Sequence, residues 1–179
     1  MAVNDTSKVD FLWKKVLFGV SNTSVSGKQG FEEIYGSEIP TYATDIWTQA
    51  GAIASSAPEA TTGVHEYFGE TNPIVCTPDP TVPGNRTWLA TTTHGTASSR
   101  VGDWIPPTFD PTYLVQVYKG DPNAGGTPLN QGTTNEEWVF DYVTGVLSFV
   151  NNVPSGVSDA TNGTRIHIVA HRYVGNKGL

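Results

Sequence analysis

Charge is scarce in this chain. Only 15% of its 179 residues are Asp, Glu, Lys or Arg, against roughly 25% in an ordinary domain. Basic residues are the scarcer sign, 10 against 17 acidic ones, giving a net charge of −7. Without a basic patch to neutralise phosphates, nucleic acid is not an expected partner. The local basic pair Lys14-Lys15 falls inside an amphipathic pattern and reads as a solvated helix face. Cysteine is reduced to Cys76, which excludes an intramolecular disulfide and any multi-cysteine metal site. It reads as a small buried hydrophobe. No apolar run approaches the roughly 20 residues of a membrane span, and no secretory leader is recognisable. The expectation is therefore a protein made in a cytoplasm, with no membrane partner.

Glycine (19) and proline (12) are plentiful, which suits short strands joined by turns better than long helices. Ser, Thr and Asn stand where charged residues would usually be. A surface of this kind is cheap to desolvate when another protein covers it.

Residues 6–19 carry the clearest helical pattern. Val9, Leu12, Trp13, Val16 and Leu17 recur at the spacing of one apolar face. Phe11 and Phe18 widen that face beyond what a free-standing helix shows to water, so it must pack on something. From 20 to 85 the pattern weakens. Ile39, Tyr42, Ile46 and Trp47 suit a short helix or an extended arm, 51–64 reads as a linker, and Pro73, Pro78, Pro80 and Pro83 exclude helix and central strand. The reading is an arm that orders by running across neighbouring subunits.

The second half is strand-like. Runs at 86–93, 113–118, 136–142, 146–150 and 164–174 are rich in β-branched and aromatic residues. The middle pair is joined by Val143-Thr144-Gly145 in the best hairpin signal of the chain. In the last run Ile166, Ile168 and Ala170 are expected to face inward, with Arg165, His167 and His171 on the other, solvent or interface side. The expected fold is mainly β: an antiparallel β-sandwich or small barrel over 86–179, preceded by an amphipathic N-terminal helix and an extended assembly arm over 1–85.

Constellations that would carry chemistry are weak. His167 and His171 lie about 13 Å apart on a strand and cannot share a metal. Glu136 and Glu137 are strand neighbours and point to opposite faces, so they cannot flank one glycosidic bond. No nucleophile elbow or phosphate-cradling loop is present. No catalytic, cofactor-binding or metal residue is assigned, and no cofactor is expected. The five Trp and seven Tyr are numerous. Such residues serve as core, as interface anchors or as stacking platforms for sugars, which makes Trp88, Trp104 and Trp138 candidate glycan contacts. Val9, Leu12, Trp13, Val16, Leu17, Ile46 and Trp47 are the candidate interface residues.

Four stretches in order carry a family resemblance: residues 8–15 (KVDFLWKK), 103–107 (DWIPP), 137–149 (EWVFDYVTGVLSF) and 166–175 (IHIVAHRYVG). Together they resemble virion structural proteins of tailed phages, of the cyanophage and aquatic-phage type, in which a β module with an "FDYxxGVLxF" hairpin recurs. The resemblance implies a non-enzymatic virion component located in the particle. Its partners would be other virion proteins and further copies of itself in a homo-oligomer. The tail or neck apparatus, including fibre attachment, is favoured. The alternatives are a capsid decoration (cement) protein or a carbohydrate- or receptor-binding module that meets a host surface glycan.

Overall fold

The computed structural model describes residues 45–178. The expected helix over 6–19, with its interface candidates Val9, Leu12, Trp13, Val16 and Leu17, lies outside the described residues. Among the described residues no helix reaches seven residues, and the helical segments are short 3₁₀ turns such as Ala50–Ala52 and Pro111–Tyr113. The architecture is mainly β, in two antiparallel sheets.

The strands are β1 (His65–Phe68), β2 (Ile74–Val75), β3 (Thr77–Pro78), β4 (Thr87–Leu89), β5 (Gln116–Lys119), β6 (Thr127–Leu129), β7 (Trp138–Asp141), β8 (Val146–Phe149) and β9 (Ile166–Tyr173). One sheet runs β1-β9-β5-β6, with β2 also paired to β9; the other runs β3-β4-β8-β7. The inner faces share one core. Ile74, Val115, Val117, Ile166, Ile168 and Ala170 from the first sheet or its flanks meet Trp88, Phe140, Leu147 and Phe149 from the second. This is a sandwich-like arrangement, and alternation explains it: Trp138 and Phe140 are buried while Val139 and Asp141 are exposed.

The expected boundary at 85/86 is corrected. Strands β1 and β2 pair with β9, through His65↔Tyr173 and Ile74↔Ile168. Strand β3 pairs with β4 through Thr77↔Leu89. Residues 65–78 thus contribute two strands to one sheet and one to the other. The prolines misled because β3 is a two-residue edge strand, where Pro78 costs no ladder bond that a central strand would need.

The segment Val101–Ile105 ties the two sheets together. Asp103 N donates to Val143 O (3.1 Å) and Trp104 N to Tyr142 O (2.8 Å), both at the end of the β7–β8 hairpin. Ile105 N donates to His171 O (2.9 Å), and Tyr173 N donates back to Asp103 O (2.7 Å), both on β9. Arg172 adds a bond from Nε to Gly102 O (3.0 Å) and pairs with Glu66. The hairpin connection spans Tyr142–Gly145, since Asp141 pairs with Val146. Asp141 accepts from Val143 N at 2.9 Å and Thr144 N at 3.3 Å.

Two glycines permit this close approach. A Cβ on Gly102 would stand 2.1 Å from Val143 O. One on Gly145, at φ +70°, would stand 2.1 Å from Val101 O and 2.7 Å from Trp104 Nε1. Gly145→Ala is therefore expected to destabilise by about 2–5 kcal/mol, combining a left-handed backbone with a backbone overlap. Gly125→Ala, at φ +81° in open space, should cost only about 1–2 kcal/mol. Urea denaturation of both variants checks the difference; equal costs would mean the overlap at Gly145 is relieved without strain.

Candidate functional site

The three tryptophans proposed as glycan contacts are core residues. Trp88 is 0% exposed, Trp104 1% and Trp138 5%. Each indole N–H donates to a main-chain carbonyl: Trp88 to Asn85 O (2.8 Å), Trp104 to Val101 O (3.0 Å) and Trp138 to Leu129 O (2.9 Å). Neither ring face nor polar edge is left for a sugar, and the expectation is overturned. Small β domains use Trp as their largest core volume when a backbone carbonyl can satisfy the indole, and composition alone does not distinguish that use from an exposed platform. Trp88→Ala should therefore cost about 3–5 kcal/mol, whereas a surface stacking residue would cost no more than about 0.5 kcal/mol. Denaturant midpoints decide between these.

Of the interface candidates within the described residues, Ile46 is exposed, and Trp47 is half-buried against Tyr173 at 4.3 Å between ring centroids and 7° between planes. Phe109 stacks near Trp47 at 6.1 Å.

The histidines lie on the face opposite Ile166, Ile168 and Ala170, as alternation places them, but that face is not open to solvent. His167 is 0% and His171 7% exposed, because β9 is covered on both faces. Ile166, Ile168 and Ala170 do face the main core, as expected. The opposite face near Tyr173 carries a second, smaller core of Val64, Ile105, Tyr113 and Tyr173, against which Trp47, Ile53 and Ala57 pack.

Beneath residues 47–64 lies a histidine–tyrosine cluster that the sequence did not announce. Strand β1 brings in His65 and Tyr67, the 3₁₀ turn at Pro111–Tyr113 brings in Tyr113, and β9 brings in His171 and Tyr173. Tyr113 is aligned by its own turn, where Asp110 accepts from Thr112 N at 2.9 Å. His65 stacks near Tyr113, Tyr67 stacks on His171 at 4.6 Å, and Tyr113 meets His171 edge-on at 5.3 Å. The ring nitrogens are taken up by structural bonds. His65 Nδ1 meets Thr62 O (3.2 Å), and Nε2 lies within hydrogen-bond distance of both the Tyr113 hydroxyl (3.0 Å) and Ala54 N (3.2 Å). His171 Nε2–H donates to Pro58 O (2.6 Å). Burial holds His171 below the ordinary imidazole value, and burial does the same to His167. Burial also raises the Tyr113 hydroxyl, with Asp110 adding to it. A sequence signal existed only in hindsight: the alternation of His65 and Tyr67 matches that of His171 and Tyr173.

Beside the cluster, a trough of about 230 Å³ on the outer face of the first sheet is lined by Glu59, Tyr67, Thr112, Leu114, Gln116 and His171. At the far end of the sandwich, His94 Nδ1 meets Cys76 O (3.0 Å) and Nε2 meets Asp159 Oδ1 (3.0 Å), and Asp159 also binds Arg165. Cys76 is fully buried, and burial pushes its thiol far above the ordinary value, so it is no thiolate nucleophile. Among the described residues, no three His, Cys, Asp or Glu side chains converge as a metal site.

The described body is thus a mainly β, sandwich-like domain in which His65, His94 and His171 bond loop backbone or side chains. Comparison with known proteins found no matching family model, no matching curated protein and no matching solved structure.

Proposed function

We propose that this chain is a non-enzymatic structural subunit of a tailed-phage virion, in the tail or neck apparatus or at fibre attachment, working through contacts with other virion proteins and with copies of itself. The observation that carries the assembly reading is the outer face of the β7–β8–β4 sheet. In register across it stand Val139, Ser148 and Thr87, with Val150 diagonal to Val139. Val139 is 57% and Val150 53% exposed, and the Thr87 and Ser148 hydroxyls satisfy each other at 3.3 Å. The middle of this face, aliphatic and mutually bonded hydroxyl groups, costs little to dehydrate and gains from burial, with the exposed Asp141 at its end on β7. The histidines and Cys76 serve structural bonds and core rather than an open catalytic cleft. The phage setting rests on the sequence resemblance. A capsid decoration role uses the same face equally well.

The expected result is that the full-length chain sediments as a defined oligomer at micromolar concentration. Val139→Lys together with Val150→Lys should shift it towards monomer with a stability change within about 0.5 kcal/mol per site, as for other surface substitutions. A monomer at all concentrations, or an oligomer indifferent to both lysines, contradicts the use of this face.

A second reading, recognition of a host-surface saccharide, keeps one observation in its favour. The trough beside Tyr67 combines an aromatic ring with Gln116, Thr112 and Glu59, a mixture suited to hydroxyl-rich ligands. Binding of the full chain on a glycan array, lost in Tyr67→Ala, would support it.

A further inference from the structure

We infer that the trough beside Tyr67 is one lobe of a longer groove that takes a linear, uncharged oligosaccharide, with Gln116 on the wall between its two lobes. This rests on the saccharide reading of that trough and extends it to a second cavity and to a ligand class.

The second cavity, of about 310 Å³, opens where β5 and the end of β6 come against the start of β7, with Leu129 and Trp138 in its lining. It shares Leu114 and Gln116 with the trough of about 230 Å³. The trough alone is smaller than the roughly 300–1,000 Å³ of ordinary ligand pockets, and the second cavity stands at the bottom of that range. Joined across Leu114 and Gln116, they fall well inside it. Strand alternation makes the shared wall: Leu114 and Gln116 are exposed, while Val115 and Val117 between them are buried in the core. Val169, paired with Gln116 across β9, lines the trough from beneath.

The lining suits hydroxyl groups and the C–H faces of sugar rings. Neither cavity is lined by Lys or Arg, and Glu59 is the one carboxylate. With a net charge of −7 on the chain, an anionic ligand is repelled. The second cavity carries three exposed amide side chains, Gln116, Asn130 and Gln131. An amide both donates and accepts, as a sugar hydroxyl does. The Gln116 amide meets the Tyr118 hydroxyl at 3.0 Å, and that hydroxyl also meets Glu70 Oε1 at 3.0 Å. Whichever way the Gln116 amide is turned, one of its two ends stays free for a ligand. Tyr67 lines one lobe and Tyr118 the other, so each has an aromatic ring for stacking.

An extended peptide is the less suited occupant. Such peptides bind by adding to a sheet edge, and the edge beside the second cavity is β6, where Pro128 has no N–H to offer.

Calorimetric titration of the full-length chain with linear gluco-, manno- and galacto-oligosaccharides of one to six units tests the groove. At least one series should bind, with affinity rising by about 10-fold or more from the shortest ligand bound to the hexamer. Gln116→Ala and Asn130→Ala, at exposed positions, should keep the wild-type urea midpoint. Each should weaken the hexamer by about 3- to 10-fold, the worth of one hydrogen bond. Asn130→Ala should leave the shortest ligand unaffected, and Tyr67→Ala should abolish binding of both. A galacturonic acid hexamer should not compete; competition overturns the uncharged class. Affinity that does not rise with length, or that only Tyr67→Ala changes, overturns the two-lobed groove and leaves the single trough standing. No binding in any series, or binding that survives Tyr67→Ala, overturns both. The proposal also falls if Asn130→Ala changes the sedimentation of the chain and not its saccharide affinity, since the second cavity is then a protein contact.

Discussion

The sandwich depends on the crossing of two backbones, Val101–Ile105 over the Tyr142–Gly145 turn. Each chain presents a glycine where the other's carbonyl comes closest: Gly102 under Val143 O and Gly145 under Val101 O. With both Cβ atoms absent, one short segment can donate to the hairpin end through Asp103 and Trp104 and still bond β9 through Asp103 and Ile105. A peptide that bonds both sheets fixes their relative position in a way that non-directional apolar contact does not. Trp104 sits at this crossing, with its ring against Phe68 and Phe140, so the crossing also sets the registration of the core.

From that fixed frame the rest follows. Because β9 is bonded on one edge by β1 and β2 and on the other by β5 and the 103–105 segment, it is the central strand, and both its faces can be covered. The inner face takes the aliphatic side chains. Near Tyr173 the outer face takes a histidine–tyrosine cluster with residues 47–64 laid over it. Among the described residues, the outer face of the opposite sheet shows Val139, Ser148 and Thr87, with the exposed Asp141 at its end. One side of the domain, among those residues, is thus covered by its own chain while the outer face of the other sheet is exposed at Val139 and Val150; this is the asymmetry that the proposed assembly role uses.

Much of the second half was legible in the sequence. The hairpin at 138–149 and the long last strand carry strong β-branched and aromatic patterns, and the structure places strands there, shortened at their ends. The strands at 65–78 were not legible, because two of them are two residues long and prolines flank or enter them. Their strand character comes from partners distant in sequence, β9 and β4, rather than from local propensity. The tryptophans were misassigned because an indole that finds a carbonyl is as content in a core as on a surface. The histidines of β9 were expected on a solvent or interface side because alternation assumes one face without core; the cover over His171 is a polar segment with no periodicity of its own. The site made by His65, Tyr113 and His171 has no contiguous motif and exists only through pairing of β1 with β9.

The folded body begins well before residue 86: β1 and β2 belong to one sheet, β3 to the other, and residues 45–63 pack over the first. Truncation tests it directly. A chain beginning at residue 45 should unfold in urea in a single cooperative transition, with near-ultraviolet circular dichroism of a packed aromatic core. A chain beginning at residue 86, which strips β1 and β2 from one edge of β9 and β3 from β4, should show neither. A cooperative transition of similar midpoint in the 86–179 chain would contradict the account.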